Sequence, residues 1–177
     1  GKISAWHNHF VTFGLRNTER PSSGAALSPD ELPARFIPHY RLEQTVLSTI
    51  VPTGPMRAPG SNGLAFVMQS FIDELAHAAG RDPVEFRLDL LGADRVVPPG
   101  AGQRGASYDT GRMKAVVRLA AEKSDWGTPL PRGEGRGVAF HFSHSGYVAM
   151  VAEVTVARNG TLKIRRVTAA VAVGPII

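Results

Sequence analysis

Thr53-Gly54-Pro55-Met56-Arg57-Ala58-Pro59-Gly60-Ser61-Asn62-Gly63 is the stretch on which the reading of this chain turns. It holds three Gly and two Pro in eleven residues. Pro removes a backbone donor and Gly loses the most entropy on ordering, so the stretch fits neither a helix interior nor a central strand. It reads as a loop that delivers the chain to a helix over Leu64 to Ala79. In that helix Val67, Phe71 and Leu75 recur at i, i+4 and i+8, with Leu64, Met68 and Ile72 on a neighbouring stripe. So wide an apolar arc predicts a largely buried helix. Gly80 stops it in a left-handed cap.

Working outward, a second helix starts at once. Asp82 is its N-cap, Pro83 suits the first helical position, Glu85 stands at the capping-box position, and Gly92 ends it. Phe86 and Leu90 form its inner face. After a Pro/Gly loop over Val96 to Ser107, Asp109 or Thr110 caps a third helix reaching about Lys123, with Met113, Val116, Val117 and Ala120 facing inward. Upstream, residues 2–14 and Tyr40 to Pro52 read as extended. Between them the Pro- and Ser-rich segment Asn17 to Pro38 suits an irregular excursion with one helical turn after Ser28-Pro29. Downstream, Arg136 to Phe142 is a strand, and Tyr147 to Ala157 and Thr161 to Val173 flank the hairpin turn Arg158-Asn159-Gly160. Val148, Met150, Ala152, Val154 and Val156 line one face, opposite Glu153 and Thr155. The order is strand, strand, three helices, strand and hairpin, an α+β chain with mixed sheet strands, three central helices and a C-terminal β-hairpin.

Composition narrows the function. The 177 residues are 43% hydrophobic, enough for a real core, yet no apolar run approaches 18 residues, so no membrane span is expected. The net charge of +5 comes from scattered Lys and Arg, which does not indicate nucleic acid binding. With no Cys, this stretch holds no disulfide, thiolate zinc site or cysteine-ligated iron–sulfur cluster.

Residues alone offer few chemical constellations. The Gly/Pro loop before a helix can hold an anion on first-turn N–H groups, with Arg57 adding a fixed positive charge. The competing reading is a plain connector with a solvated Arg57. His7 and His9 share a strand face, and His141 and His144 lie near a strand end. Neither pair has the four ligands of a structural zinc site, so both read as surface or core histidines. Asp73 and Glu74 read as helix surface with an ion-pair partner. Ser143, His144 and Ser145 lack the nucleophile-elbow pattern.

A longer series carries a family likeness. Gly54-Pro55-Met56-Arg57-Ala58-Pro59-Gly60 is followed by Gln69-Ser70-Phe71-Ile72-Asp73-Glu74-Leu75-Ala76 and then by Arg81-Asp82-Pro83-Val84-Glu85-Phe86-Arg87-Leu88. This resembles the large subunit of isoquinoline 1-oxidoreductase and related aldehyde dehydrogenases of the xanthine oxidase family. Those chains carry a G-P-x-R-x-x-G loop, an E-S-F-I-D-E-L-A helix and a D-P-x-E-F-R helix in this order. Gly135 to Phe140, Tyr147 to Val154 and Val173-Gly174-Pro175-Ile176-Ile177 resemble the strands and turn that follow.

The resemblance implies part of a molybdopterin-binding domain. Residues 1–125 would be a partial molybdopterin-binding subdomain and 126–177 the truncated start of a second, β-rich one. It implies that Met56, Arg57, Ala58 and Gly60 face the cofactor or substrate pocket. The parent subunit would carry molybdenum on molybdopterin cytosine dinucleotide and pass electrons to a [2Fe–2S] small subunit. Its reaction would hydroxylate an N-heteroaromatic or aldehyde carbon with oxygen from water. The family's catalytic Glu, in a G-x-G-E-P motif, lies beyond Ile177. No catalytic or metal-ligating residue is therefore assigned here, and this stretch alone is expected to bind no cofactor, to be inactive and to self-associate through uncovered faces. Gln69 stands where the family usually has Glu, and Ala172 where it has Asp. These departures leave an alternative, a non-catalytic structural or interaction domain that keeps the scaffold.

Overall fold

The computed structural model describes residues 1–22, 25, 28 and 32–174. The helical turn expected after Ser28-Pro29 and the end of the Val173 turn lie outside the described residues. The chain divides into two compact units, Gly1–Met68 with Pro99–Gln103 and Gln69–Pro98 with Arg104–Ile177.

In the first unit, β1 (Ala5–Phe13) and β2 (His39–Leu47) pair in parallel, in register from Ala5 opposite His39 to Phe13 opposite Leu47. Strand alternation turns Trp6 into the core and His7 and His9 outward. Gly14 follows β1 because a Cβ there would stand 2.1 Å from the Thr18 carbonyl oxygen. A short 3-10 turn, Ala34–Phe36, precedes β2. The loop after β2 is tied back where the Thr53 hydroxyl donates to the Gly14 carbonyl at 2.7 Å.

Helix α1 spans Pro59–Ala78, so it begins five residues before the expected Leu64. The Gly/Pro stretch contains the helix start rather than preceding it. Pro59 explains this, since its fixed φ and missing N–H cost nothing in the first turn. The helix is also less buried than its apolar arc predicts. Leu64, Met68, Ile72 and Ala76 form the buried stripe, whereas Phe66, Val67 and Phe71 are exposed. The arc is so wide that periodicity could not choose its inner side. At the other end Gly80 has φ 63°, its N–H donates to His77 O, and Arg81 N–H donates to Ala76 O at 2.9 Å, the paired bonds of a Schellman cap.

In the second unit α2 (Pro83–Leu91) is capped as expected. Oδ1 of Asp82 accepts from Val84 N and Glu85 N, while Oδ2 accepts from the Trp126 indole at 2.7 Å. Its buried residues are Val84, Phe86, Arg87 and Leu91, so Leu90 is not the inner position expected of it. The Pro/Gly loop is bracketed by two short strands that pair antiparallel, β3 (Val96–Val97) and β4 (Tyr108–Asp109). α3 (Thr110–Lys123) is capped by Asp109. The antiparallel sheet β5-β6-β7 comprises β5 (Glu134–Ser143), β6 (Gly146–Val156) and β7 (Leu162–Ala172). α3 packs on its inner face, burying Met113, Val116, Val117 and Ala120 against a surface that includes Tyr147, Ala149, Val151 and Ala170. The face of Val148, Met150 and Val156 is the outer one.

Arg87 is the feature that residue type conceals. The residue is 3% exposed. Nε donates to Gln69 Oε1 at 3.0 Å, Nη2 to the Gln69 carbonyl at 3.0 Å, and Nη1 to the Pro83 carbonyl at 3.0 Å and to Asp73 Oδ1 at 3.3 Å. Gln69 Oε1 also accepts from Phe140 N at 3.0 Å, so one amide oxygen joins α1, α2 and the edge of β5. Burial lowers the Arg87 pKa, and the Asp73 carboxylate opposes that shift.

Replacing Gln69 with Leu strips an acceptor from a buried cation and a buried amide. We expect a loss of about 3 kcal/mol in urea unfolding. Gln69→Glu keeps both acceptors and gains a charge pair, so its stability should match or exceed the parent at neutral pH. That gain should be lost as acid protonates the new carboxylate.

Candidate anion-facing loop

The bend between β2 and α1 brings Met56, Arg57, Ala58 and Gly60 together at one helix start. Arg57 is exposed, and Met56 has 75% of its surface in water. Ala58 adopts φ 55°, a left-handed conformation that turns the chain sharply into α1. Gly60 sits in the first turn, and a Cβ built there would meet no atom within 4 Å. The bend is therefore open on the Gly60 side.

Electrostatically the site is positive. α1 has 20 residues and no acidic residue in its first turn. The unpaired N–H groups after Pro59 concentrate roughly half a positive charge there, and the Arg57 guanidinium adds a full one. The bend can hold an anion by backbone and guanidinium donors. Arg57 is its one ionisable side chain, so the bend supplies no proton-transfer group.

The histidines fall elsewhere. His7 Nε2 lies 2.6 Å from Glu43 Oε2, and His9 Nε2 lies 2.8 Å from Thr45 Oγ1, so each bonds a neighbour on β2. Arg41 also pairs with Glu43. The His7 hydrogen bond, with Arg41 second, holds the Glu43 carboxyl below its ordinary range. Among the described residues no group of three or more His, Asp or Glu side chains is arranged to hold a metal. Ser143 Oγ lies 2.8 Å from His144 Nδ1, but His144 and Ser145 form a tight turn with φ 50° and 63° between antiparallel strands. That is not the strand-to-helix elbow of a hydrolase. Asp73 pairs with Arg87, while Glu74 is exposed. His141, read from the sequence with His144 as a surface or core histidine, has its Nε2 buried without a hydrogen-bond partner among the described residues. Burial lowers its pKa. Its alternation within β5 was the available signal.

The described residues form an α+β chain in which a positive loop-to-helix bend precedes α2, α3 and the β5-β6-β7 sheet. Residues 34–90 match the molybdopterin cofactor-binding domain. The chain is 32% identical over 142 residues to the beta subunit of isoquinoline 1-oxidoreductase from Brevundimonas diminuta, covering 78% of this chain and 16% of that one. It is 30% identical over 148 residues to a nicotinate dehydrogenase subunit of Pseudomonas putida, covering 73% of this chain and 11% of that one. It is 35% identical over 118 residues to the aldehyde oxidoreductase molybdenum-binding subunit PaoC of Escherichia coli, covering 62% of this chain and 15% of that one. The chain thus spans between a tenth and a sixth of these relatives' lengths. No solved structure matches it. No helix among the described residues is long and apolar enough to cross a membrane.

Glu43 offers a direct test of the strand-pair geometry. Its lowered pKa stabilises the fold above the ordinary glutamate value and is lost as pH falls through the folded value. In a carboxyl-detected NMR titration Glu43 should titrate below ordinary glutamates, and His7→Ala should move it upward.

Proposed function

We propose that this chain is a segment of the large subunit of a molybdenum hydroxylase, and that the Met56–Gly60 bend faces the cofactor and substrate pocket. Residues 1–125 then belong to one subdomain of the cofactor-binding region, and 126–177 begin a β-rich second. The observation that carries the reading is the pairing of Arg57 with a helix start free of acidic residues. That arrangement suits the phosphates of a molybdopterin cytosine dinucleotide.

When bound, such a group supplies the redox chemistry that hydroxylates an N-heteroaromatic or aldehyde carbon with oxygen from water. Arg57 would fix an anionic group by a forked pair of donors. Met56 would offer an apolar wall, and the open side of Gly60 would let a ligand approach the backbone. Electrons would pass to a separate [2Fe–2S] subunit. The general base is not among these residues, so the segment by itself is inactive.

Two departures from the family pattern prompt the scaffold-only alternative, and their placement weakens it. Gln69 is buried and holds Arg87 and Phe140, so its identity bears on packing. The Ala172 carbonyl accepts from Arg112 Nη2 at 3.1 Å, and that guanidinium lies 4.7 Å from the Tyr147 ring centre. Neither position belongs to the bend.

The test is Arg57→Ala in the full-length subunit with its partner. Turnover should fall about 10²-fold, while the thermal midpoint stays within a few degrees. Unchanged turnover on both heteroaromatic and aldehyde substrates would remove Arg57 from the site. Elemental analysis of the 177-residue chain alone should find no stoichiometric molybdenum.

A further inference from the structure

The register of β5, β6 and β7 puts every aliphatic residue at even positions of β6 on one face with its partners. Met150 is 46% exposed, Val156 44%, Leu162 59%, Ile164 66%, Val167 53% and Val171 57%. No Asp, Glu, Lys or Arg stands at the paired positions of this face. The β5 side is nearly bare of side chains, with Gly135, Gly137 and Ala139 in succession. Charges are instead gathered on the opposite face, where Glu153 pairs with Arg136 and Arg166, and Arg165 pairs with Glu134. Soluble monomers rarely expose a contiguous apolar patch beyond about 300–600 Å², and six aliphatic side chains bare over roughly half their surface reach the top of that range.

We propose that this face is an internal packing surface. Its occupant is an uncharged aliphatic layer of the same polypeptide, in a protein of the relatives' length. This rests on the reading of the chain as a segment of a larger subunit. In the relatives the aligned stretch is 16%, 11% and 15% of the whole, which leaves ample chain to supply a layer. A second copy is the weaker occupant, because it would bring together two chains of net charge +5.

The chain contains no Cys, so an introduced thiol reports on one place within it. Val167→Cys and, as the smaller change, Ala169→Cys are made in the full-length protein, and peptide mass mapping reads alkylation at those positions. In the native protein labelling should be at least a hundredfold slower than in urea. In the 177-residue chain it should be within tenfold of the urea rate. Native full-length protein that labels nearly as fast as unfolded protein overturns the proposal. So does protection in the 177-residue chain that vanishes on dilution, which would assign the face to a second copy. Molybdenum content of the same full-length preparations separates the two readings. Protected thiols without molybdenum leave the packing surface standing and sink the enzyme reading, whereas molybdenum with open thiols does the reverse.

Discussion

A buried guanidinium must have its donors met, and at Arg87 that requirement fixes where three elements lie. The donors reach a side-chain amide, two backbone carbonyls and one half-exposed carboxylate. Such a charge is far more costly to strand than to omit. Neither α2 nor the edge of β5 can shift relative to Gln69 without breaking a bond at a desolvated site. The stretch of α1 held this way begins at Gln69, within the second unit.

Side-chain size settles which face of the sheet receives α3. Ala149 and Ala170 are almost fully buried and leave room for a helix to approach closely. Tyr147 closes one end, where its ring tilts against Phe142 and its hydroxyl accepts from Asp109 N at 2.9 Å. Because Asp109 also caps α3, that bond ties the sheet to the helix start. The other face offers Met150, Ile164 and Leu162, too bulky and irregular for the same approach. β7 carries one extra residue opposite the Glu153–Val154 step, a bulge that bends the strand where the ion pairs gather.

Much of this was legible in the amino-acid sequence, wherever one residue type has one local solution. Asp82-Pro83, Gly80, Asp109 and Asn159-Gly160 each marked a boundary to within a residue or two. The α+β class followed from their order, and the family likeness from the residue series Gly54–Gly60, Gln69–Ala76 and Arg81–Leu88. The faces were harder. β6 is apolar on both sides, so alternation identified two candidate faces and could not select the buried one. α1 has apolar residues over most of its circumference, so the stripe of Val67 and Phe71 read as core although it is exposed. Burial of Arg87 depends on Gln69, Pro83 and Asp73 meeting it in space, which no local pattern encodes. For the candidate site, the positive charge and the helix start were readable, but the start at Pro59 was obscured by the very glycines and prolines that drew attention to it.

The β1-β2 and β5-β6-β7 sheets differ in what their uncovered faces would accept. Parallel strands are almost always covered on both sides, yet the outward face of β1 and β2 presents His7 and His9, bonded across to Glu43 and Thr45, and Arg41, paired with Glu43 along β2. Its apolar residues, Val11, Phe13 and Leu47, lie together at the strand ends. A neighbour there would have to be mostly polar. The outer face of β5-β6-β7 has no paired charge at all and would reject such a neighbour, since burying unpaired polar groups costs more than the contact returns. One partner chemistry cannot serve both. A polar layer suits the β1-β2 face and an aliphatic layer suits the outer face of β5-β6-β7.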